Sequence, residues 1–271
     1  MPDLGKPIAL GRTAEIYAWK EGKVLKLFRD WFPKTAIEYE ARVAQAVYAS
    51  GLPVPAPGEL IQVEGRLGLE YERLDGPTML HIFQKQPWRI TALARLFAEL
   101  HAQMHATSTH QPNSQRERLQ NKIREAKPLS ESLKQAALDA LDKMPGGDAL
   151  CHGDFHPDNI IMTATRPVVI DWIDVTSGNP LADFARTSIL IQYGAPAPKN
   201  PLGLVIQLGR GSFYRAYHRH YFELTHANPA EVQAWIPIVA AARLNEGITE
   251  EENTLISIVQ DAFTPLNGAG S

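Results

Sequence analysis

The stretch Cys151–Trp172, CHGDFHPDNIIMTATRPVVIDW, sets an aspartate, an asparagine and a second aspartate along a short loop and hairpin. Apolar runs on either side predict strands that pin the loop. We predict that Asp154 orients an incoming hydroxyl as a base, while Asn159 and Asp171 approach a Mg²⁺ ion from the two sides of the hairpin. Oxygen ligands suit Mg²⁺, which takes one or two carboxylates together with phosphates and water. The alternative for each residue is a turn or cap hydrogen bond.

Two segments of this region, HGDFHPDN and VIDWIDVTSGNPLADFA, resemble the aminoglycoside phosphotransferase and choline kinase-like family, small-molecule relatives of the protein kinases. The resemblance implies that Asp154 is the catalytic base, that Asn159 binds Mg²⁺, and that Asp171 does the work of the kinase DFG aspartate. It also implies that Asp183 is a buried aspartate that braces the catalytic loop. We interpret Asp183 as structural.

The same resemblance implies an α+β, bilobal protein-kinase-like fold. A small β-rich N-lobe with one main helix, residues 1–75, is expected to clamp the nucleotide. A larger, mostly helical C-lobe, residues 76–271, is expected to carry the catalytic loop and the substrate-binding helices. The implied activity is that of a small-molecule O-phosphotransferase of the EC 2.7.1 type, with ATP (or GTP) and Mg²⁺ as cofactors.

A lysine and a glutamate near the amino terminus support this interpretation. The strand Lys23–Phe28 places Lys26 between apolar neighbours on one face, because alternate residues of a strand point the same way. In the helix predicted over 34–50, Glu40 shares a face with Ile37, Ala44 and Val47. A buried lysine needs a partner, so we predict a Lys26–Glu40 ion pair that aims the ammonium at nucleotide phosphates. The alternative is that both side chains reach solvent.

The remaining nucleotide contacts are implied by the resemblance alone. Gly11 is the single glycine of the turn LGRTAEIY, where backbone amides are expected to approach phosphate. The backbone of Glu72 to Leu74 is expected to bind the adenine edge at the hinge between lobes.

Beyond Asp75 the pattern predicts mainly helices, over 90–106, 181–193, 204–226, 229–245 and 250–263. His101 and His105 lie one turn apart, the spacing of a two-histidine metal site, but no further ligand is evident and we do not predict one. Thr249 and Glu252 have the spacing of a capping box. The tail NGAGS is expected to be disordered.

Composition agrees with one compact enzyme. A chain of 271 residues can bury a substantial core. A net charge of −3 does not indicate the basic surface that binds nucleic acid. No apolar run is long enough to span a membrane. The single cysteine excludes an intramolecular disulfide and fits a reducing compartment, so we expect a cytoplasmic protein. We also expect a monomer or homodimer.

Two other functions stay open. His152, Asp154 and His156 alternate in a way that suggests a metal-dependent hydrolase, since zinc sites use histidine and carboxylate. A nucleotide-binding pseudokinase is the non-catalytic alternative. For a kinase, the acceptor is a small-molecule hydroxyl such as that of an aminoglycoside-type antibiotic, an amino alcohol or a sugar.

Overall fold

A computed structural model of the chain describes residues 4–108, 113–194 and 201–264, with the backbone alone for 201–206. The tail predicted to be disordered lies outside the described residues. The chain divides into two compact units, Met1–Met79 with Asp158–Ile173, and Leu80–Pro157 with Asp174–Ser271. The predicted α+β class is confirmed: a β-sheet amino-terminal region is followed by a helical carboxy-terminal part.

The first unit contains an antiparallel sheet in the order β1-β2-β3-β5-β4. Its strands are β1 (Ala9–Leu10), β2 (Ala14–Ala18), β3 (Lys23–Phe28), β4 (Pro57–Val63) and β5 (Arg66–Glu72). Two tight turns join neighbouring strands. Between β4 and β5, Glu64 and Gly65 have φ of 51° and 81°, and these positive values suit a two-residue hairpin turn. In the longer connection between β2 and β3, Gly22 has a φ of 70°.

Helix α1 (Lys34–Ala49) packs on one face of this sheet. Its Ile37 joins Phe28 and Leu69 in one buried cluster, while Leu25 and Leu27 pack in another cluster with Tyr17 and Val63. The predicted helix face needs one correction: Val43 is buried where Ala44 was expected, and Ala44 lies at the rim. Glu40 remains on the buried face.

A short hairpin completes the first unit. Its strands β7 (Ile160–Met162) and β8 (Pro167–Val169) are antiparallel. The Val169 N–H donates to the Pro53 carbonyl at 2.8 Å, and Met162 N–H to the Pro77 carbonyl at 2.9 Å. These bonds attach the hairpin that carries Asn159 and Asp171 to the rest of the unit.

The second unit is mainly helical. It contains the two-stranded sheet β6 (Ala149–Cys151) and β9 (Thr176–Gly178), and the helices α2 (Met79–Lys85, whose first residue belongs to the first unit), α3 (Ile90–His105), α4 (Gln115–Glu125), α5 (Glu131–Lys143), α6 (Pro180–Tyr193), α7 (Pro201–Thr225), α8 (Val232–Arg243) and α9 (Thr249–Phe263). None of the described helices is both long and apolar enough to cross a membrane.

Two details at helix ends differ from the sequence prediction. The helix expected over 229–245 is divided, with 3₁₀ turns at Pro229–Glu231 and Leu244–Glu246 flanking α8. The capping box predicted at Thr249 is wrong, because Ile248 occupies the N-cap and no side chain caps the helix. Gly247, with a φ of 67°, terminates the preceding 3₁₀ turn.

Aromatic rings form much of the core of the second unit. The Phe97 and Phe155 rings stack with centroids 4.3 Å apart, and Phe184 stacks on Tyr217 at 4.8 Å. Phe155 is fully buried and its carbonyl accepts a hydrogen bond from the Thr187 hydroxyl at 3.1 Å. Because Phe155 follows Asp154, this anchorage limits the movement of the loop.

Candidate active site

The predicted ion pair of the first unit is present. Lys26 Nζ, on the central strand β3, lies 2.6 Å from Glu40 Oε1 on α1. Their side chains are 17% and 6% exposed, so the pair is shielded from solvent. The Tyr71 hydroxyl donates to the same Glu40 oxygen at 3.3 Å. Burial and the neighbouring Glu40 raise the pKa of Tyr71 well above its usual value, so this phenol stays protonated as a donor.

The Lys26 ammonium also faces Asp171. The Asp171 Oδ1 atom lies 3.9 Å from Lys26 Nζ, and the aspartate side chain is 47% exposed. Asp171 has a φ of 66°, in the left-handed region that few residues other than glycine adopt. Such strain persists where the surrounding structure imposes it, and it is commonest at functional sites. The backbone here holds an exposed carboxylate beside a partly buried cation.

Asn159 lies at the other side of the same hairpin. It ends the 3₁₀ turn Pro157–Asn159 and is buried. The backbone carbonyl of Asn159 accepts a hydrogen bond from the Ile170 N–H at 3.0 Å. This bond continues the β7–β8 ladder towards Asp171. A carboxylate and a carboxamide on adjoining strand ends are the protein ligands that Mg²⁺ prefers. The residues present therefore fit a Mg²⁺ ion, which Asn159 and Asp171 would hold.

The turn before β2 closes on itself. Gly11 N–H donates to the Ala14 carbonyl at 2.9 Å, and a Cβ at Gly11 would lie only 3.1 Å from that oxygen. The Arg29 guanidinium donates to the carbonyls of Gly11 at 3.3 Å and of Arg12 at 3.1 Å. Arg29 was not identified from the sequence as a residue that holds this turn. Its position directly after strand β3 was the signal that could have indicated it.

In the segment expected to bind adenine, some hydrogen-bonding groups are already used within the first unit. The Glu72 N–H donates to the Ala56 carbonyl at 2.8 Å, and the Ala56 N–H donates to the Glu72 carboxylate at 3.1 Å. Leu74 is half-buried two residues later. Because the Glu72 N–H already donates to Ala56, an adenine base would have to bind other backbone atoms of this segment.

The loop of the second unit places Asp154 beside two basic groups. Its Oδ1 lies 3.2 Å from Arg186 Nη2, and its Oδ2 lies 3.5 Å from His156 Nε2. Gly153, immediately before it, has a φ of 79°. Burial opposes ionisation of Asp154, but the hydrogen bond from His156 and the charge of Arg186 outweigh it and lower its pKa well below the usual value. Asp154 is thus ionised at neutral pH.

Asp183 braces this loop, as predicted. One of its oxygens accepts the Gly153 N–H and the other accepts the His152 N–H, both at 2.8 Å. The second oxygen also lies 3.2 Å from Nε2 of both His101 and His105. Burial opposes ionisation, but the hydrogen bonds from the two histidines outweigh it and lower the Asp183 pKa.

The histidine pair on α3 belongs to this bracing network. Nδ1 of His101 lies 2.6 Å from the Tyr217 hydroxyl, and Nδ1 of His105 lies 2.6 Å from the Tyr221 hydroxyl. Because a carboxylate only accepts, each Nε2 carries the proton and each tyrosine donates to Nδ1. Burial lowers the pKa of His101 to about 3, which keeps its ring neutral.

The metal-hydrolase alternative requires His152, Asp154 and His156 to form a ligand set. Over residues 4–108, 113–194 and 201–264, three or more potential ligand atoms gather within 4.8 Å of one another at His101, His105 and Asp183, and not at the predicted cluster. The His152 ring instead accepts the Asp154 N–H at Nδ1, 3.3 Å away. The alternation seen in the sequence therefore does not form a metal site.

An ion network that sequence reasoning missed lies behind the loop. Glu246 is bound by three cations. Its Oε1 lies 2.9 Å from both Lys122 Nζ and Arg186 Nη2, and its Oε2 pairs with Arg243. Burial opposes ionisation of Glu246, but the charges of Arg186 and Lys122 outweigh it and lower its pKa to about 2. A cavity of about 40 Å³ lies beside this network, with Gly153 and Asp174 in its wall.

The fold and these groups define a kinase-like phosphotransferase. The model of the family APH, described as the phosphotransferase enzyme family, matches residues 5–235. The chain belongs to this family. No curated protein matches its sequence.

Several solved structures share the fold. The aminoglycoside phosphotransferase APH(4)-Ia, in complex with AMP-PNP and hygromycin B, has a TM-score of 0.64 at 16% identity, over 98% of this chain and 94% of that one. A choline/ethanolamine kinase family protein from Mesorhizobium loti has a TM-score of 0.60 at 14% identity, over 95% and 85%. Macrolide 2'-phosphotransferase MphH from Brachybacterium faecium has a TM-score of 0.55 at 16% identity, over 97% and 91%. The predicted protein-kinase-like fold is confirmed.

Proposed function

We propose that the protein transfers the γ-phosphoryl group of ATP to a hydroxyl of a small molecule, as an EC 2.7.1 type enzyme. The observation that carries the proposal is the buried Lys26–Glu40 ion pair, whose ammonium lies 3.9 Å from the carboxylate of the strained Asp171. A cation held between two carboxylates is positioned to bind phosphate oxygens, as the lysine of kinase-type enzymes does.

Each remaining residue has a role in this proposal. Asn159 and Asp171 would hold the Mg²⁺ ion, which would neutralise charge on the phosphates. Gly11 and the backbone near Glu72 and Leu74 contribute to nucleotide binding. We keep the division of the chain into lobes 1–75 and 76–271 as part of the proposal.

Asp154 acts on the acceptor. The acceptor oxygen forms a bond to the γ-phosphorus while the bond from that phosphorus to the bridging oxygen breaks, and ADP leaves. The proton of the acceptor hydroxyl passes to Asp154 and then to solvent. Because the carboxylate has a lowered pKa, its main contribution is to orient the hydroxyl, which suits a transition state with little need for a strong base.

The acceptor is an aminoglycoside-type antibiotic, an amino alcohol or a sugar. Similar structures, at 14–16% identity, are an aminoglycoside phosphotransferase with hygromycin B, another with streptomycin, and an amicoumacin kinase. In the described part of the second unit, the carboxylates around the loop are paired with basic groups: Asp174 with Arg118, and Glu246 with Lys122, Arg186 and Arg243. Such pairing leaves little uncompensated negative charge for a polycation, and it favours acceptors with few amino groups.

The proposal is tested by measuring ADP release with MgATP, and separately with MgGTP, across a panel of aminoglycosides, amino alcohols and sugars. We expect turnover of at least one acceptor, with a loss on the order of 10²-fold or more in Asp154→Asn. Asp158→Asn, which changes an exposed aspartate of the same loop, is the control and should keep its activity. ATP binding without turnover of any acceptor would instead support the pseudokinase alternative.

A further inference from the structure

Arg186 is a buried arginine on α6, one helical turn after the bracing Asp183. Its Nε donates to the Gly153 carbonyl at 3.0 Å, and its Nη2 donates to Asp154 Oδ1 at 3.2 Å. One planar guanidinium thus holds both the backbone before the base and the base itself. A fork of this kind orients its partner better than a single charge does.

The two carboxylate oxygens of Asp154 have different partners. Oδ1 accepts a hydrogen bond from Arg186, and Oδ2 accepts one from His156, whose Nε2 is 3.5 Å away. A carboxylate held through one oxygen has its rotation about the side-chain torsions restricted. The fixed carboxylate then presents its lone pairs to an incoming hydroxyl in a defined direction.

Glu246 keeps Arg186 in place from the opposite side. Arg186 Nη2 lies 2.9 Å from Glu246 Oε1, and Glu246 is bound in turn by Lys122 and Arg243. Arg243 is itself held by Glu251, with two bonds of 2.8 Å. Because Glu246 is compensated by other cations, the charge of Arg186 remains available to Asp154.

We propose, on the basis of the function proposed above, that Arg186 is a positioning residue for Asp154, which orients the carboxylate through Oδ1 and stabilises its ionised form. The charged and titratable groups that face this pair are Glu246 and Asp174 around Arg186, and His152 and His156 around Asp154. None of the other basic residues lining the cavity makes a hydrogen bond or ion pair to Asp154 in the described contacts.

The test uses Arg186→Gln and Arg186→Lys in the full-length chain. We expect Arg186→Gln to lower kcat on the order of 10²-fold, because a misplaced base costs about that much, with little change in the KM for ATP. The acidic limb of the kcat/KM profile should move to higher pH, since loss of the cation raises the Asp154 pKa. Arg186→Lys keeps the charge and should return part of the rate and most of the profile.

Arg118→Gln is the matched control. It removes an arginine from the same cavity wall, where Arg118 pairs with Asp174 and makes no described contact with Asp154. Its acidic limb should stay where it is in the unaltered protein. An equal shift in Arg118→Gln would overturn the proposal, because it would show a general effect of charge.

Two further variants separate positioning from folding and from the proposed function. Arg186→Gln combined with Glu246→Gln removes one charge of each sign and avoids a stranded carboxylate, and it should retain the same kinetic defect. In an Asp154→Asn background, Arg186→Gln should add less than about threefold, since residues that act as a unit are not additive. Full additivity overturns the positioning role, whereas an active Asp154→Asn overturns the proposed function.

Discussion

The bracing carboxylate of Asp183 allows the most quantitative prediction. Its two oxygens accept four hydrogen bonds, from the N–H groups of His152 and Gly153 and from the rings of His101 and His105. In Asp183→Asn the amide has a single oxygen. The most favourable placement keeps that oxygen towards the three donors at Oδ2 and turns the NH₂ group towards the Gly153 N–H.

The cost follows from this arrangement. One hydrogen bond to a charged acceptor is lost, about 1.5–3 kcal/mol, and a buried N–H is left opposite another donor, about 1–3 kcal/mol. The three remaining bonds lose their charge-assisted character. We therefore expect the free energy of unfolding to fall by roughly 3–5 kcal/mol, a large part of the 5–15 kcal/mol that is typical of folded proteins.

Urea denaturation followed by tryptophan fluorescence and by far-UV circular dichroism measures this loss. Asp139→Asn, at an exposed aspartate on α5, is the matched control and should change the free energy of unfolding by less than about 0.5 kcal/mol. A loss below about 1 kcal/mol in Asp183→Asn would refute the reasoning, because it would mean that the four contacts carry little net stabilisation.

Three other perturbations have defined outcomes. Lys26→Met should lower kcat about 10²–10³-fold by removing the phosphate-directed charge; a rate within threefold would contradict that role. His101 stays neutral down to about pH 3 when folded, whereas the unfolded histidine takes up a proton below about 6.5. The free energy of unfolding that this difference contributes is therefore lost as pH falls, at about 1.4 kcal/mol per pH unit between pH 6.5 and 5. His101→Gln should remove this slope, whereas a variant of the exposed His81 should keep it. Urea denaturation at several pH values measures the slope. Gly153→Ala should lower activity at least about tenfold, since φ is 79° and a Cβ would lie 2.5 Å from the Asp174 carbonyl oxygen; an unchanged kcat in the same assay would show that the loop tolerates the side chain.

Local periodicity was sufficient for the elements of the first unit. The strand Lys23–Phe28 and the helix that begins at Lys34 lie where alternation and helical spacing put them. Both patterns depend on backbone geometry alone, with a period of two in strands and 3.6 in helices. The Lys26–Glu40 pair could therefore be predicted, because a buried charge on one element requires an opposite charge on its neighbour.

The residues around Asp154 could not be found in this way. Arg186 is 32 residues from Asp154, and Glu246 is 60 residues from Arg186. In the sequence each is one charged residue among many, and such residues are mostly solvated. The same holds for His101 and His105, whose partner Asp183 is 82 and 78 residues away.

The amino-acid sequence by itself determined the strand Lys23–Phe28, the helix that follows it, the loop motif and the membership in a phosphotransferase family, but not the helices α2, α4 and α5. Those features depend on near neighbours or on contiguous motifs. Tertiary structure alone decided which charges meet behind the catalytic loop, because the packing of α3, α6 and α8 brings together side chains that no local rule relates. Burial excludes water and so strengthens the electrostatic attraction between these side chains. Charged residues that are far apart in the sequence therefore form one network behind the loop.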